Sequence, residues 1–220
     1  MTTIDAITIA DPPEAWADTG FAVDDDGVCR VGSVRIELVG RDAGKRILAW
    51  SLRGIDGDTT DIDGLPTTAS TREPSTAAQH PNGVEFIDHL VILSPDTDRT
   101  VAALNAIGLP TRRTRHIDPE QYGFAARQTF FKLAEVVLEL IGSDEPTGDG
   151  PAGFFGLAYT VTDIDALPGR YGEHLGNVKD AVQPGRRITT LRHKEFGMSV
   201  ATAFMSPGPD SIASLASQAG

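Results

Sequence analysis

A chain of 220 residues has room for one large domain or two small ones, and it buries about 70% of its unfolded surface without needing a disulfide or metal staple. With 19 basic against 31 acidic residues and a net charge of −12, it lacks the excess of cations that nucleic-acid partners require, and its single Cys excludes a disulfide framework or a cysteine-rich zinc module. No apolar run approaches the ~20 residues of a membrane span, and MTTIDAITIADPPE has no basic stretch ahead of an apolar one, so a cytoplasmic protein without membrane partners is expected.

In chain order, IDAITIADP (4–12) reads as a strand leading into a short helix that starts near Asp11. Pro12 and Pro13 stand in its first turn and Gly20 ends it. VGSVRIELVG (31–40) has strand character. TTASTREPSTAAQHPNG (67–83) has no apolar period and reads as a linker. FIDHLVIL (86–93) is a strand and PDTDRTVAALNAIG a helix, with Val101, Leu104 and Ile107 on one face. Three strands come next: LPTRRTRHI (109–117), ARQTFFKLA (126–134) and EVVLELIG (135–142). The pattern then repeats. GFFGLAYTV (153–161) is a strand, DIDALPGRYGEHLG a weak helix, and NVKDAVQ, RRITTLRH and MSVATAFMS are three more strands. The tail from 207 to 220 is small and polar and is expected to be flexible.

An internal repeat is also visible. IDAITIADP matches IDHLVILSP (87–95) at four of nine positions, VGSVRIELVG matches LAEVVLELIG (133–142) at four of ten, and TDIDGLP (60–66) matches TDIDALP (162–168) at six of seven. Residues 1–66 therefore read as a shortened copy of residues 84–168.

Two consecutive βαβββ patterns, carried by IDHLVILSPDTDRTVAALNAIGL, RQTFFKLAEVVLELIG and GLAYTVTDIDAL, resemble the vicinal oxygen chelate superfamily. That group includes glyoxalase I, extradiol dioxygenases, methylmalonyl-CoA epimerase and bleomycin-resistance proteins. The resemblance implies an α+β fold of paired βαβββ units forming a cupped half-barrel, with a degenerate extra N-terminal unit. The expected divisions are a degenerate unit at 1–66, a linker at 67–83, a two-unit glyoxalase-like domain at 84–206 and the tail.

The resemblance also implies a site. His89 stands at the family's ligand position on the first strand and Glu139 at that on the fourth, so both are expected to be catalytic or to ligate one divalent metal ion. Alternation puts His89, Val91 and Leu93 on one strand face and Val137, Glu139 and Ile141 on another, and a His or Glu among apolar strand residues needs a partner. The remaining ligand positions, near Gly156 and Ala201, offer no donor; His116 or His193 would have to contribute. Arg127, Gln128, Phe130, Phe155, Tyr159, Arg186 and Arg187 are the expected substrate-binding residues, since Arg forks recognise anions and aromatic rings line small-molecule pockets. Glu37, with Ser33 and Arg35 on its face, reads as solvated strand surface. No phosphate-loop, dinucleotide or nucleophile-elbow pattern occurs, and Cys29 reads as a small strand residue.

Two functions stay open. One is a glyoxalase-like enzyme, of lyase, isomerase or dioxygenase type, acting on a small organic molecule with a divalent metal. The other is a metal-free protein that binds or sequesters a small molecule. The expected partner is a small-molecule ligand, with a homodimer left open.

Overall fold

The computed structural model describes residues 1–117 and 125–208. Two sheets carry the fold. The second sheet is eight-stranded and contains both complete units. In the first unit, β7 (Val84–Leu93) is followed by helix α2 (Thr97–Ala106), β8 (Arg113–Ile117), β9 (Ala126–Leu133) and β10 (Val136–Gly142). In the second, β11 (Gly153–Val161) is followed by helix α3 (Leu167–Tyr171), β12 (Lys179–Asp180), β13 (Arg187–Leu191) and β14 (Ala201–Met205). The spatial order is β12-β13-β14-β11-β7-β10-β9-β8. Each unit pairs its first and last strands in parallel, and β7 meets β11 antiparallel at the centre. This is the expected paired βαβββ arrangement. Local chemistry sets the boundaries: Asp96 caps α2 by accepting from the Arg99 amide at 3.0 Å, and Gly108 (φ 80°) turns the chain away after it.

The N-terminal sheet comprises β1 (Thr3–Ile9), β2 (Val28–Val31), β3 (Val34–Leu38), β4 (Ile47–Arg53), β5 (Asp61–Ile62) and β6 (Leu65–Ser70), with helix α1 (Pro13–Asp18) after β1. Its order is β2-β3-β1-β4-β6-β5. β1 pairs β3 in parallel and aligns Ala6 with Arg35 and Thr8 with Glu37. β7 likewise pairs β10 in parallel and aligns His89 with Val137 and Val91 with Glu139. The first two sequence matches are therefore matches of strand, direction and register.

The repeat goes further than one shortened unit. β4 lies antiparallel to β1 as β11 does to β7, β4 and β6 are parallel as β11 and β14 are, and β5 backs onto β6 as β13 onto β14. The first sheet is thus a reduced pair of units. Its first half lacks one strand. Its second half lacks a strand and the helix, because residues 54–60 are a short loop rich in Gly, Asp and Thr.

The third sequence match is not a structural one. TDIDALP enters a 3-10 turn (Ile164–Ala166) and α3, whereas TDIDGLP forms the β5–β6 hairpin. Asp63 (φ 53°) and Gly64 (φ 88°) make its two-residue turn, which needs positive φ at both positions. The single position that differs, Gly64 against Ala166, is the one where that conformation favours glycine.

The expected linker at 67–83 is also revised. β6 runs to Ser70, and the chain beyond it lies along the first sheet: Ser75 N donates to Ser33 O at 3.0 Å and Ala78 N to Arg30 O at 3.0 Å. His80 fastens the end, accepting from the Ala22 amide at Nδ1 (2.9 Å) while Nε2–H donates to Arg30 O (3.1 Å). Thr, Ser and Pro residues here satisfy strand backbone without contributing apolar period. Of the tail expected at 207–220, residues 209–220 lie outside the described residues.

One continuous apolar cluster joins the sheets. Phe21 packs edge-on to Tyr159 at 5.1 Å between ring centroids and Trp50 to Phe154 at 5.5 Å, so both modules share a core. Each such large side chain contributes about 1.5–3 kcal/mol on full burial. Among the described residues no helix is long and apolar enough to cross a membrane.

Candidate functional site in the second cup

The inner face of the eight-stranded sheet encloses a concavity of about 370 Å³. His89 and Val91 of β7, Gly156 and Ala158 of β11, and Ala201 and Ala203 of β14 line it, together with Phe155 and His193. Small residues at the centre of β11 and β14 create the space.

His89, on its wall, meets Glu139, which is not itself one of the lining residues. Glu139 faces Val91 across the β7–β10 ladder and is therefore the diagonal neighbour of His89. His89 Nε2 lies 3.5 Å from Glu139 Oε2. On the other side of the ring, His89 Nδ1 donates to Asp88 Oδ1 at 3.0 Å. Strict alternation would point Asp88 away from His89. Instead β11 pairs Ala158 with His89 and Tyr159 with Ile87, so Asp88 is an extra residue in β7, and the bulge turns its side chain to the side of His89. Arg186 Nη2 donates to Asp88 Oδ2 at 2.5 Å, and Thr160 donates to the same oxygen at 2.9 Å. Beyond Glu139, Gln128 Nε2 donates to Glu139 Oε1, and Gln128 Oε1 accepts from Arg115 Nε. A continuous polar chain, Arg186–Asp88–His89–Glu139–Gln128–Arg115, thus crosses the sheet.

Its two carboxylates are pushed in opposite directions. Burial acts to raise Asp88, but hydrogen bonds from His89 and Arg186 outweigh it and hold the carboxyl well below the usual range. Burial raises Glu139, and the charges of His89 and Arg115 offset that only in part. Asp88 is therefore a fixed anion that orients the ring, and Glu139 is the carboxyl more easily protonated. Burial lowers His193, on the rim, below the ordinary histidine value.

Of the expected substrate-binding residues, Phe155 lines the concavity, and Gln128, Phe130 and Arg186 belong to the surroundings of Glu139 and Asp88 without lining it. Phe130 pairs directly with Glu139 and carries Arg115 over its ring at 5.7 Å. Arg127, Tyr159 and Arg187 do not. Arg127 alternates with Gln128 and reaches α2, where it bonds Thr97 and Asp98. Tyr159 is fully buried on the other face against Phe21. Arg187 forms a two-pronged pair with Asp165, at 2.7 and 2.6 Å. Asp88, Arg115 and Thr160 were not singled out from sequence. Asp88 had one available signal, its twin Asp5 in the repeat.

The donor set does not fit the expected metal ion. Gly156, Ala158, Ala201 and Ala203, inward positions of β11 and β14, carry no side-chain donor, and a Cβ at Gly156 would lie 2.5 Å from Ala201 O. The remaining faces of His89 and Glu139 are taken by Asp88 and Gln128. His116 pairs with exposed Asp144 at 3.2 Å on an edge strand. Among the described residues no group of three or more His, Cys, Asp or Glu side chains is placed to hold a metal.

The first sheet is built on the same plan. Asp5 is the extra residue of β1, since Ile4 pairs Leu52 and Ala6 pairs Ser51. It is 1% exposed and accepts from Arg35 (2.5 Å), Arg53 (2.6 Å) and Ser70 (2.7 Å). Arg72 pairs with Glu37 at 3.0 Å, so the face of Glu37 is polar as expected and partly open to solvent. Ala6 stands where His89 stands, and Arg35 and Arg53 converge on Asp5 beside it.

The fold is that of the vicinal oxygen chelate superfamily, present here as one complete and one reduced pair of units. Across both, the chain is similar to a triple mutant of 4-hydroxymandelate synthase from Streptomyces coelicolor, with 14% identity over 94% of this chain and 92% of that one and a TM-score of 0.63. It is also similar to a halotolerant catechol dioxygenase, with 11% identity, 94% and 87% coverage and a TM-score of 0.59. A third likeness is to a xylose isomerase-like TIM barrel/4-hydroxyphenylpyruvate dioxygenase fusion protein, with 13% identity, 99% and 51% coverage and a TM-score of 0.58. At such identities the likeness is one of fold. No family model and no curated sequence matches the chain.

Proposed function

We propose that the protein binds a small organic molecule in the second cup and that His89, oriented by Asp88 and facing Glu139, exchanges a proton with it. The carrying observation is the 3.5 Å approach of Glu139 Oε2, from behind the wall, to Nε2 of His89, which lines an otherwise largely apolar concavity. A ring nitrogen held by a fixed carboxylate, beside a second carboxyl raised by burial, is an acid–base pair that needs no metal. The ligand that suits it has an apolar body and a carbonyl or hydroxyl group whose adjacent proton is acidic.

The test is a panel of such carbon acids, screened for a rise in Tm and then incubated in deuterated water and weighed. The reading expects deuterium uptake by a bound compound, and uptake but not binding should be lost in His89→Asn. The second reading, sequestration without chemistry, is favoured by the missing donors of the second unit. It predicts binding with no uptake. Binding that survives Ala158→Phe, which fills the cup, would place the site elsewhere and defeat both.

A further inference from the structure

We propose that a second cleft, between the two modules, binds a multiply charged phosphate-type anion such as a diphosphate group. The cleft has a volume of about 480 Å³ and lies on the turn 193–199. Arg41, Lys45 and Arg46, from the connection between β3 and β4, line one side, and Lys194 lines the other. Its lining shares no residue with that of the cup, although Lys194 adjoins His193, which lines the cup.

Charge is the first argument. Arg30, Arg35, Arg53, Arg72, Arg99 and Arg127 are neutralised by carboxylates, as are Arg186, Arg187 and Arg192. None of the four cleft cations is in an ion pair among the described residues. They converge in a chain whose net charge is −12. At physiological salt the screening length is about 8 Å, so a ligand in the cleft responds chiefly to these four cations; Glu14, Asp18 and Asp42 adjoin Arg41 from a neighbouring cleft and do not line this one. Asp11 is the one carboxylate among the lining residues, and its oxygens are occupied: Ser199 N donates to them at 2.9 and 3.0 Å and Trp16 Nε1 at 3.1 Å.

Rigidity is the second argument. Arg41 Nη2 donates to Gly197 O at 3.0 Å and Arg46 N to Ser199 Oγ at 2.8 Å, each joining one module to the other across the cleft. Arg46 is held at φ 64°, a conformation that costs a non-glycine residue about 1 kcal/mol or more. Like charges fixed in one cleft repel, and an anion bridging them removes that cost. Two guanidinium forks and two ammonium groups present more donors than one carboxylate can accept, which favours a diphosphate.

The experiment is calorimetric titration of the full chain with inorganic pyrophosphate, and with adenosine diphosphate to separate a diphosphate ester from the free anion. Lys45→Gln/Lys194→Gln removes two cations that have no ion-pair partner among the described residues. Arg113→Gln/Lys179→Gln removes the same charge from edge strands and serves as control. The expected result is saturable binding of at least one compound, weakened about tenfold or more by the first double variant and little by the second. No binding by the wild-type chain, or equal weakening in both variants, would overturn the proposal.

Discussion

Asp5 and Asp88 occupy the same bulge in two sheets of one chain. Each is the unpaired residue between two paired neighbours of its unit's first strand, Ile4 and Ala6 in one case, Ile87 and His89 in the other. Each is buried and neutralised by arginine. The difference lies in the next residue. Where Ala6 comes next, the aspartate holds two arginines; where His89 comes next, it holds an imidazole at the edge of an open cup.

Removing either carboxylate leaves buried cations uncompensated. Asp5→Ala and Asp88→Ala should each cost about 3–5 kcal/mol, measured by urea unfolding. Only Asp88→Ala should also alter ligand binding or proton exchange. If Asp5→Ala did so to the same extent, the first sheet would take part in the function as well.

Glu139 makes a pH prediction of definite sign. Its folded pKa is raised by burial, so the folded state holds the proton more tightly than the unfolded chain. Its contribution to stability is present below the unfolded value and is lost as pH rises through the folded one. In Glu139→Gln that decline should disappear, so the variant gains on the wild type as pH rises from 4.5. Parallel stability curves would show that the carboxyl is not strained by burial.

His80 has the opposite slope. Burial lowers its pKa, with the bond to Arg30 O acting against it, and its Nδ1 must be unprotonated to accept from the Ala22 amide. Its contribution is complete above about 6.5, the ordinary value, and is lost as pH falls through the depressed folded value. The segment it anchors, 72–80, should then exchange its amide hydrogens faster at about pH 5 than intrinsic rates predict, and His80→Gln should remove that dependence.

The β5–β6 turn gives a backbone prediction. Gly64→Ala places a Cβ at positive φ and 2.1 Å from Pro151 Cβ. A loss of about 1–3 kcal/mol is expected in thermal unfolding. An unchanged Tm would mean that the turn adapts and that Gly64 does not set the hairpin apart from the TDIDALP turn.

Strand and helix periods disclosed the two complete units: β11 runs over 153–161 as read, and α1 and α2 start beside the prolines and aspartates that mark them. His89 and Glu139 were legible because an ionisable residue in an apolar strand needs a partner. Alternation fixes which residues share a face but not which face is inward. Hence adjacent Arg127 and Gln128 were both assigned to the pocket although one strand can present only one of them there, and Tyr159 was chosen over its small neighbour Ala158. Asp88 was hidden because a bulge breaks the period of two. β4–β6 were missed because their connections are too short for a helix and β6 lacks an apolar run.

The most direct measurement is methyl NMR of the alanines while a compound that raises Tm is titrated in. The account predicts shifts at Ala158, Ala201 and Ala203 and at the His89 ring, with Ala6 and Ala49 of the first sheet unmoved. Saturable binding that leaves the second-cup methyls and His89 unperturbed would contradict it.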